Sequence, residues 1–258
     1  MAYARTTLAS LVLIPVAAMA AGVQPWRESP DAVPLATAAV AAPAAGGEAE
    51  DLRPARGIDV SHYQGRIDWR AVSGDGIGFA YMKATEGATF VDHAFARNWS
   101  GAGEAGIVRG AYHRFRPGRD AVAQANHFLS VVSLRDGDLP PVLDVESTDG
   151  VSDARLVRGV RAWLAEVERR TGKRPIVYTK PGFRRAHLGA ALDDYPLWIA
   201  EYGVDSPSVA RWHLWQHSER GRVAGIANEV DLDRFNGSHA ELRELAAGRA
   251  TGEAVAAR

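Results

Sequence analysis

The sequence predicts an α/β fold: a (β/α) barrel whose C-terminal third is mostly β, with fewer than eight regular βα repeats. Three observations predict it. Short apolar runs alternate with amphipathic stretches of helical period, as successive βα units require. That alternation stops at about Leu197, after which short strand-like pieces follow one another. The apolar runs also end repeatedly in carboxylates, aromatics and amides, the groups that barrel strands present at the C-terminal rim where barrel sites are assembled. Candidate strands cover 57–60, 77–83, 108–113, 141–145, 175–178, 197–200 and 212–216, and candidate helices fill the gaps at 92–105, 120–132, 153–170 and 181–187. Asp92, Asp120 and Asp153 stand at or near helix starts, where a carboxylate accepts from unpaired N–H groups and complements the dipole.

These elements occupy 55–245 of the 258 residues, enough for one domain with a sizeable core. Residues 1–21 read as a secretory signal peptide, with Arg5, an apolar stretch from Leu8 to about Ala18, and the small pair of an A-x-A site at Ala18 and Ala20. The rival reading is an uncleaved membrane anchor; the apolar run is short for a span and Pro15 interrupts it. Residues 22–54, rich in Ala, Pro and Gly, read as a flexible linker, and 246–258 as a disordered tail, because neither buries enough apolar surface to offset its ordering entropy.

With 30 Lys plus Arg against 31 Asp plus Glu, the formal charge of −1 leaves no basic excess for a phosphate backbone, so no nucleic-acid partner is expected. Zero Cys excludes disulfides, thiolate metal sites and a cysteine nucleophile. Eight His raise the question of a metal, but His213 and His217 fall in a strand-like segment, where a spacing of four puts them about 13 Å apart. No HExxH occurs; His62 and His113 could approach an Asp across the barrel mouth, but single histidines are usually satisfied structural residues, so neither a metal nor a cofactor is expected. No phosphate loop, dinucleotide fingerprint or GxSxG serine motif is present.

The chemistry lies in the strand ends. Strand one ends in Asp59, strand two in Tyr81, Lys83 and Glu86, strand three in Tyr112 and His113, and strand four in Asp144 and Glu146. Later segments add Tyr178, Trp198, Tyr202, Trp215, Gln216 and Asp231. Residues two apart on a strand share a face, with Cα atoms about 6.6 Å apart. Asp144 and Glu146 therefore repel each other at the barrel mouth, and one keeps its proton near neutral pH. A general acid beside an ionised partner is what glycoside cleavage requires. Asp59 and Asp231 sit in apolar frames, which suggests partly buried carboxylates at strand ends. Trp198, Tyr202 and Trp215 are either core or surfaces on which a sugar stacks.

Gly57-Ile58-Asp59-Val60-Ser61-His62-Tyr63-Gln64-Gly65, Ile67-Asp68-Trp69, the run from Phe79 to Gly87, Arg109-Gly110-Ala111-Tyr112-His113, the run from Pro140 to Glu146, Leu197-Trp198-Ile199-Ala200-Glu201-Tyr202 and the run from Val230 to Gly237 together resemble the glycoside hydrolase family 25 lysozymes. The resemblance implies an irregular, flattened barrel of five βα units followed by β-structure. It also implies cleavage of the β-1,4 bond between N-acetylmuramic acid and N-acetylglucosamine in peptidoglycan glycan strands, by a monomer without stable membrane association. Carried over by position, it makes Glu146 the proton donor, Asp144 its partner, and Asp59 and Asp231 the other acids of a catalytic rim. Tyr81, Lys83, Glu86, Tyr112, His113, Tyr178, Trp198, Tyr202, Trp215 and Gln216 would contact substrate. For the second half of the reaction, Asp144 orients the substrate's 2-acetamido group as internal nucleophile, or a carboxylate attacks directly, or one activates water. Arg114 stands where the family often has an aromatic. Two rival functions remain: a chitinase-like N-acetylhexosaminidase, and a non-catalytic wall-glycan-binding module, which would have lost a carboxylate that this chain keeps.

Overall fold

The computed structural model describes residues 51–248. The expected signal peptide, most of the expected linker and the end of the expected tail lie outside them. Within them, β1 (Pro54–Val60), α1 (Trp69–Gly74), β2 (Phe79–Glu86), β3 (Phe90–Val91), α2 (Phe95–Glu104), β4 (Val108–Arg114), α3 (Ala121–Val131), β5 (Val142–Asp144), α4 (Asp153–Thr171) and β6 (Ile176–Thr179) follow in order. A short helical piece, Pro181–Phe183, runs into a π-turn at Arg184–Leu188, followed by β7 (Leu197–Ala200), β8 (Leu214–Gly221), β9 (Val230–Ser238) and α5 (His239–Ala246).

Eight strands close into a barrel in the order β1-β9-β8-β7-β6-β5-β4-β2, with β2 pairing back to β1 and β3 flanking β2. Neighbours are parallel except where β9 runs antiparallel between β8 and β1. Five βα units therefore precede a stretch that closes the barrel through strands.

Alternation along each strand divides the core into two layers. Phe79, Tyr81, Val142, Ile176, Tyr178, Trp198, Leu214 and Phe235 fill the barrel interior. Ile58, Met82, Ala111, Leu143 and Val177 face outward to Phe128, Trp163 and Leu164 of the helices. Two glycines make room for the aromatic filling. A Cβ on Gly57 would collide with the Phe79 ring, and one on Gly110 with the Tyr81 ring.

Three expectations about elements need correction. Helices do not cease after Leu197: α5 follows β9, started by a capping box in which Glu241 N–H donates to Ser238 Oγ at 3.3 Å and Ser238 N–H to Glu241 Oε2 at 2.8 Å. The Ser-x-x-Glu spacing that signals such a start was present in the sequence. α1 was also not foreseen; it has six residues, and Asp68 Oδ1 caps it by accepting from Arg70 and Ala71 N–H. Of the three acids expected at helix starts, only Asp120 is a side-chain cap, accepting from Ala123 N–H at 2.7 Å. Asp153 lies one residue inside α4, and Asp92 precedes the N-cap of α2 by two residues.

Candidate active site

The inner faces of the parallel strands place carboxylates above the aromatic filling at the C-terminal end of the barrel. Asp59 lies directly opposite Asp231 in the β1–β9 pairing, and Asp144 of β5 stands between Arg114 of β4 and Tyr178 of β6. Glu146 follows two residues on, half-buried. All four expected catalytic acids thus meet at one rim.

Asp144 and Glu146 are close enough for each to act on the other's titration. Burial, then the charge of Glu146, raises Asp144 to about 8, while Arg114 and Lys83 pull it the other way. Glu146 faces two cations, Lys180 Nζ at 2.9 Å and Arg114 Nη1 at 3.5 Å. Arg114 Nη1 also lies 3.8 Å from Asp144 Oδ2. Asp144 is thus the member of the pair whose carboxyl burial holds toward the protonated form. Asp144 Oδ1 is buried with no hydrogen-bond partner among the described residues.

Asp59 is the hub of a second cluster. Gln216 Nε2 donates to its Oδ2 at 2.5 Å, and Asp231, directly opposite it in the β1–β9 pairing, and Asp233 crowd its carboxyl. Burial, then the charges of Asp231 and Asp233, raises Asp59 well above the usual carboxylate range. Asp231 is raised to about 6 by burial and then by Glu219, and Asp233 is raised by burial and then by Asp231. The cluster therefore carries fewer charges than it has carboxyls. Gln216 Oε1 accepts from Tyr178 Oη at 2.9 Å and Tyr202 Oη at 2.5 Å. Burial raises both phenols, so they remain donors.

Not every residue expected to contact substrate is placed to do so. Tyr81 is sealed inside the barrel, donating to the Pro140 carbonyl at 3.1 Å, and Trp198 is equally enclosed, its Nε1 donating to Asp233 Oδ1 at 3.0 Å. His113 and Trp215 lie on the outer faces of β4 and β8, because their inner neighbours are Tyr112 and Gln216. His113 is wedged among Thr85, Gln124 and the Trp163 ring, and burial lowers it to about 4. Trp215 Nε1 donates to the Glu201 carbonyl at 2.8 Å. These four support the site without facing it. Gln216 holds Asp59 in place, and both ends of its amide are engaged. Lys83 and Glu86 pair at 2.6 Å, and Arg116 also grips Glu86; with Tyr112 and Tyr202 they line the partly open rim.

Arg114, Lys180 and Asp233 were not foreseen as site residues. Each is two positions from a foreseen one, Tyr112, Tyr178 and Asp231, so the spacing rule that paired Asp144 with Glu146 would have found them. Another group of ligating side chains, His62, Asp92 and His93, stands at the ends of β1 and β3. Asp92 is fully engaged there, accepting from His62 and Ala94.

Comparison with known proteins identifies relatives of this chain. The family model described as glycosyl hydrolases family 25 matches residues 58–226. The chain is 38% identical to Lysozyme M1 of Streptomyces globisporus over 76% of its length and 72% of that protein's. It is 45% identical to the uncharacterized protein YegX of Escherichia coli over 72% of its length and 71% of YegX. The solved bacterial lysozyme from Streptomyces coelicolor superimposes with a TM-score of 0.73 at 37% identity, over 77% of this chain and 99% of that one. A closed barrel with paired acids at its rim, a matching family model and these degrees of identity lead to one assignment: the chain belongs to glycosyl hydrolases family 25.

Proposed function

We propose that this protein is a muramidase that hydrolyses the β-1,4 bond between N-acetylmuramic acid and N-acetylglucosamine of peptidoglycan, with Glu146 as general acid and Asp144 as its partner. The observation that carries the reading is the pair Asp144–Glu146, a buried carboxyl raised toward its protonated form beside a half-buried one held by Arg114 and Lys180 at an open rim. The names of relatives, Lysozyme M1, autolytic lysozyme and N,O-diacetylmuramidase, support the substrate class.

The chemistry follows from the site. Asp144 Oδ1 is an unsatisfied acceptor, suited to the N–H of a substrate 2-acetamido group. That donor stabilises ionised Asp144, and its proton passes to neighbouring Glu146. Glu146 then gives the proton to the glycosidic oxygen as the C1–O bond breaks. The acetamido oxygen bonds to C1 and forms an oxazolinium ion. Water next attacks C1, Glu146 takes back a proton from it, and the C1–O bond to the acetamido oxygen opens, restoring the acetamide. Asp59 and Asp233 are buried and raised, hence poor nucleophiles, which favours the neighbouring group over direct carboxylate attack. Asp231 and Asp59 shape the field of the rim.

No helix among the described residues is long and apolar enough to cross a membrane. The reading includes export by the signal peptide at 1–21, action outside the cytoplasm, and a monomer that meets the wall through its groove.

Glu146→Gln tests the acid role: wall-lytic activity is expected to fall at least a hundredfold with an unchanged melting temperature, and a few-fold loss would remove Glu146 from that role. Mass spectrometry of digests of peptidoglycan and of chitin tests the substrate, since chitin fragments in place of muropeptides would favour the hexosaminidase reading. De-N-acetylated glycan should be cleaved far more slowly than acetylated glycan at comparable binding; equal rates would rule out the neighbouring-group route.

A further inference from the structure

The turn that follows β1 is built unlike an ordinary surface loop. It carries Tyr63, 72% exposed, on the short 3-10 turn His62–Gln64, yet its backbone is pinned from four directions. Ser61 and Gln64 form a capping box, with Ser61 N–H donating to Gln64 Oε1 at 2.9 Å. His62 N–H and Nδ1 both meet the buried Asp92 carboxylate, at 3.1 and 2.7 Å. Asn228 Nδ2 donates to the Tyr63 carbonyl at 2.9 Å, and Arg97 Nη2 to the Gly65 carbonyl at 2.7 Å. Beside it, Phe90 is 41% exposed on β3, its carbonyl bonded to His127 Nε2 at 3.0 Å. The rings form one surface: His62 lies 4.2 Å from Tyr63, 6.3 Å from Phe90 and 5.1 Å from His93, centroid to centroid.

Exposed aromatics on a pinned backbone lose little entropy when something stacks on them. The surface is continuous with the catalytic rim, because Lys83 Nζ, which acts on Asp144, lies 5.4 Å from the Phe90 ring centroid. Sugar rings present flat C–H faces edged with hydroxyls, which suits aromatic faces bordered by polar groups.

We infer that Tyr63 and Phe90, held by the His62–Asp92 pair, form a distal subsite that stacks the sugar rings of a long glycan strand beyond those flanking the cleaved bond. This rests on the muramidase reading. The subsite makes affinity depend on chain length: short oligosaccharides fill only the carboxylate-lined rim, whereas long strands also cover the aromatic platform.

Binding is measured by calorimetry with peptide-free glycan, as tetrasaccharides and as long strands, in a Glu146→Gln background that prevents cutting. The Glu146→Gln protein should bind long strands more tightly than tetrasaccharides. Adding Tyr63→Ala or Phe90→Ala should remove most of that preference, with long-strand Kd rising about tenfold. Tyr63→Phe, which keeps the ring, should preserve it. Equal long-strand affinity in all four proteins would overturn the inference, as would a Tyr63→Phe loss matching that of Tyr63→Ala, since a hydroxyl contact and not a ring face would then be responsible. Turnover by the unaltered enzyme tests the muramidase reading separately. With no turnover but a chain-length preference lost in Tyr63→Ala, the platform would stand and the catalytic reading would fall.

Discussion

Arg114 reaches both members of the reacting pair, 3.8 Å from Asp144 and 3.5 Å from Glu146, so its charge bears on the shared proton. The active form of the pair holds one proton, lost on the alkaline side and doubled on the acid side, and activity should be bell-shaped in pH. A guanidinium favours the ionised carboxylates, so Arg114→Met should move both limbs of the kcat/KM profile on soluble glycan to higher pH. Lys83, Lys180, Glu86, Asp59 and Asp231 stay in place around the pair, so the displacement reports the loss of one cation. Unmoved limbs would show that Arg114 does not tune the pair. At this scale the four acids were legible because period two and apolar flanks mark inward carboxylates at strand ends. His113 and Trp215 were misplaced because strand alternation says which residues share a face, not which face is the barrel interior.

The elements draw their stability from different sources. α3 begins with Asp120, whose carboxylate accepts from Ala123 N–H, and Asp120→Ala should cost about 1 kcal/mol. α4 instead presents Trp163, fully buried, its ring 5.6 Å from His113 and 5.4 Å from Phe128. Trp163→Ala should cost about 3–5 kcal/mol through the cavity it leaves. Urea midpoints at constant m distinguish the two. Equal small losses would mean that the helix layer relaxes into the space. Long periodic elements such as α4 were legible within a residue or two. Six-residue α1 and closing strand β9 were not, because one turn and a half of helix shows little period and β9 gains its partners only when β8 and β1 come together.

For the whole molecule, the buried acids set a pH dependence of stability. Asp59, Asp144, Asp231 and Asp233 all have folded-state pKa values above the ordinary 3.8. A raised carboxyl contributes its full stability below the unfolded value and loses it as pH climbs through the folded one, here about 6 for Asp231 and about 8 for Asp144. Glu86, lowered by Lys83 and Arg116 despite its burial, and His113 and His217, lowered by burial, work in the opposite sense, but their contribution is complete once pH passes the ordinary histidine value of 6.5. The melting temperature should therefore decline between about pH 6.5 and about pH 9, and Asp144→Asn should flatten the decline. A melting temperature that holds or rises across that range would contradict the protonated cluster. Removal of residues 1–50 should leave melting and turnover of soluble glycan nearly unchanged, because β1 begins at Pro54; failure to fold would move the domain boundary toward the N-terminus.

Periodicity and strand-end chemistry in the chain were enough to specify the barrel class, the β-rich closing stretch and the acids at its rim, because hydrophobic spacing is a local property that each segment carries alone; the number of βα units, five, came from the family resemblance. The depth of each group required the closed barrel. Asp144 is raised because closure buries it beside Glu146, and closure also sets Arg114 and Lys180 against Glu146. Burial and charge proximity sum over residues from β1, β4, β5, β6 and β9, far apart along the chain, and no local pattern encodes that sum.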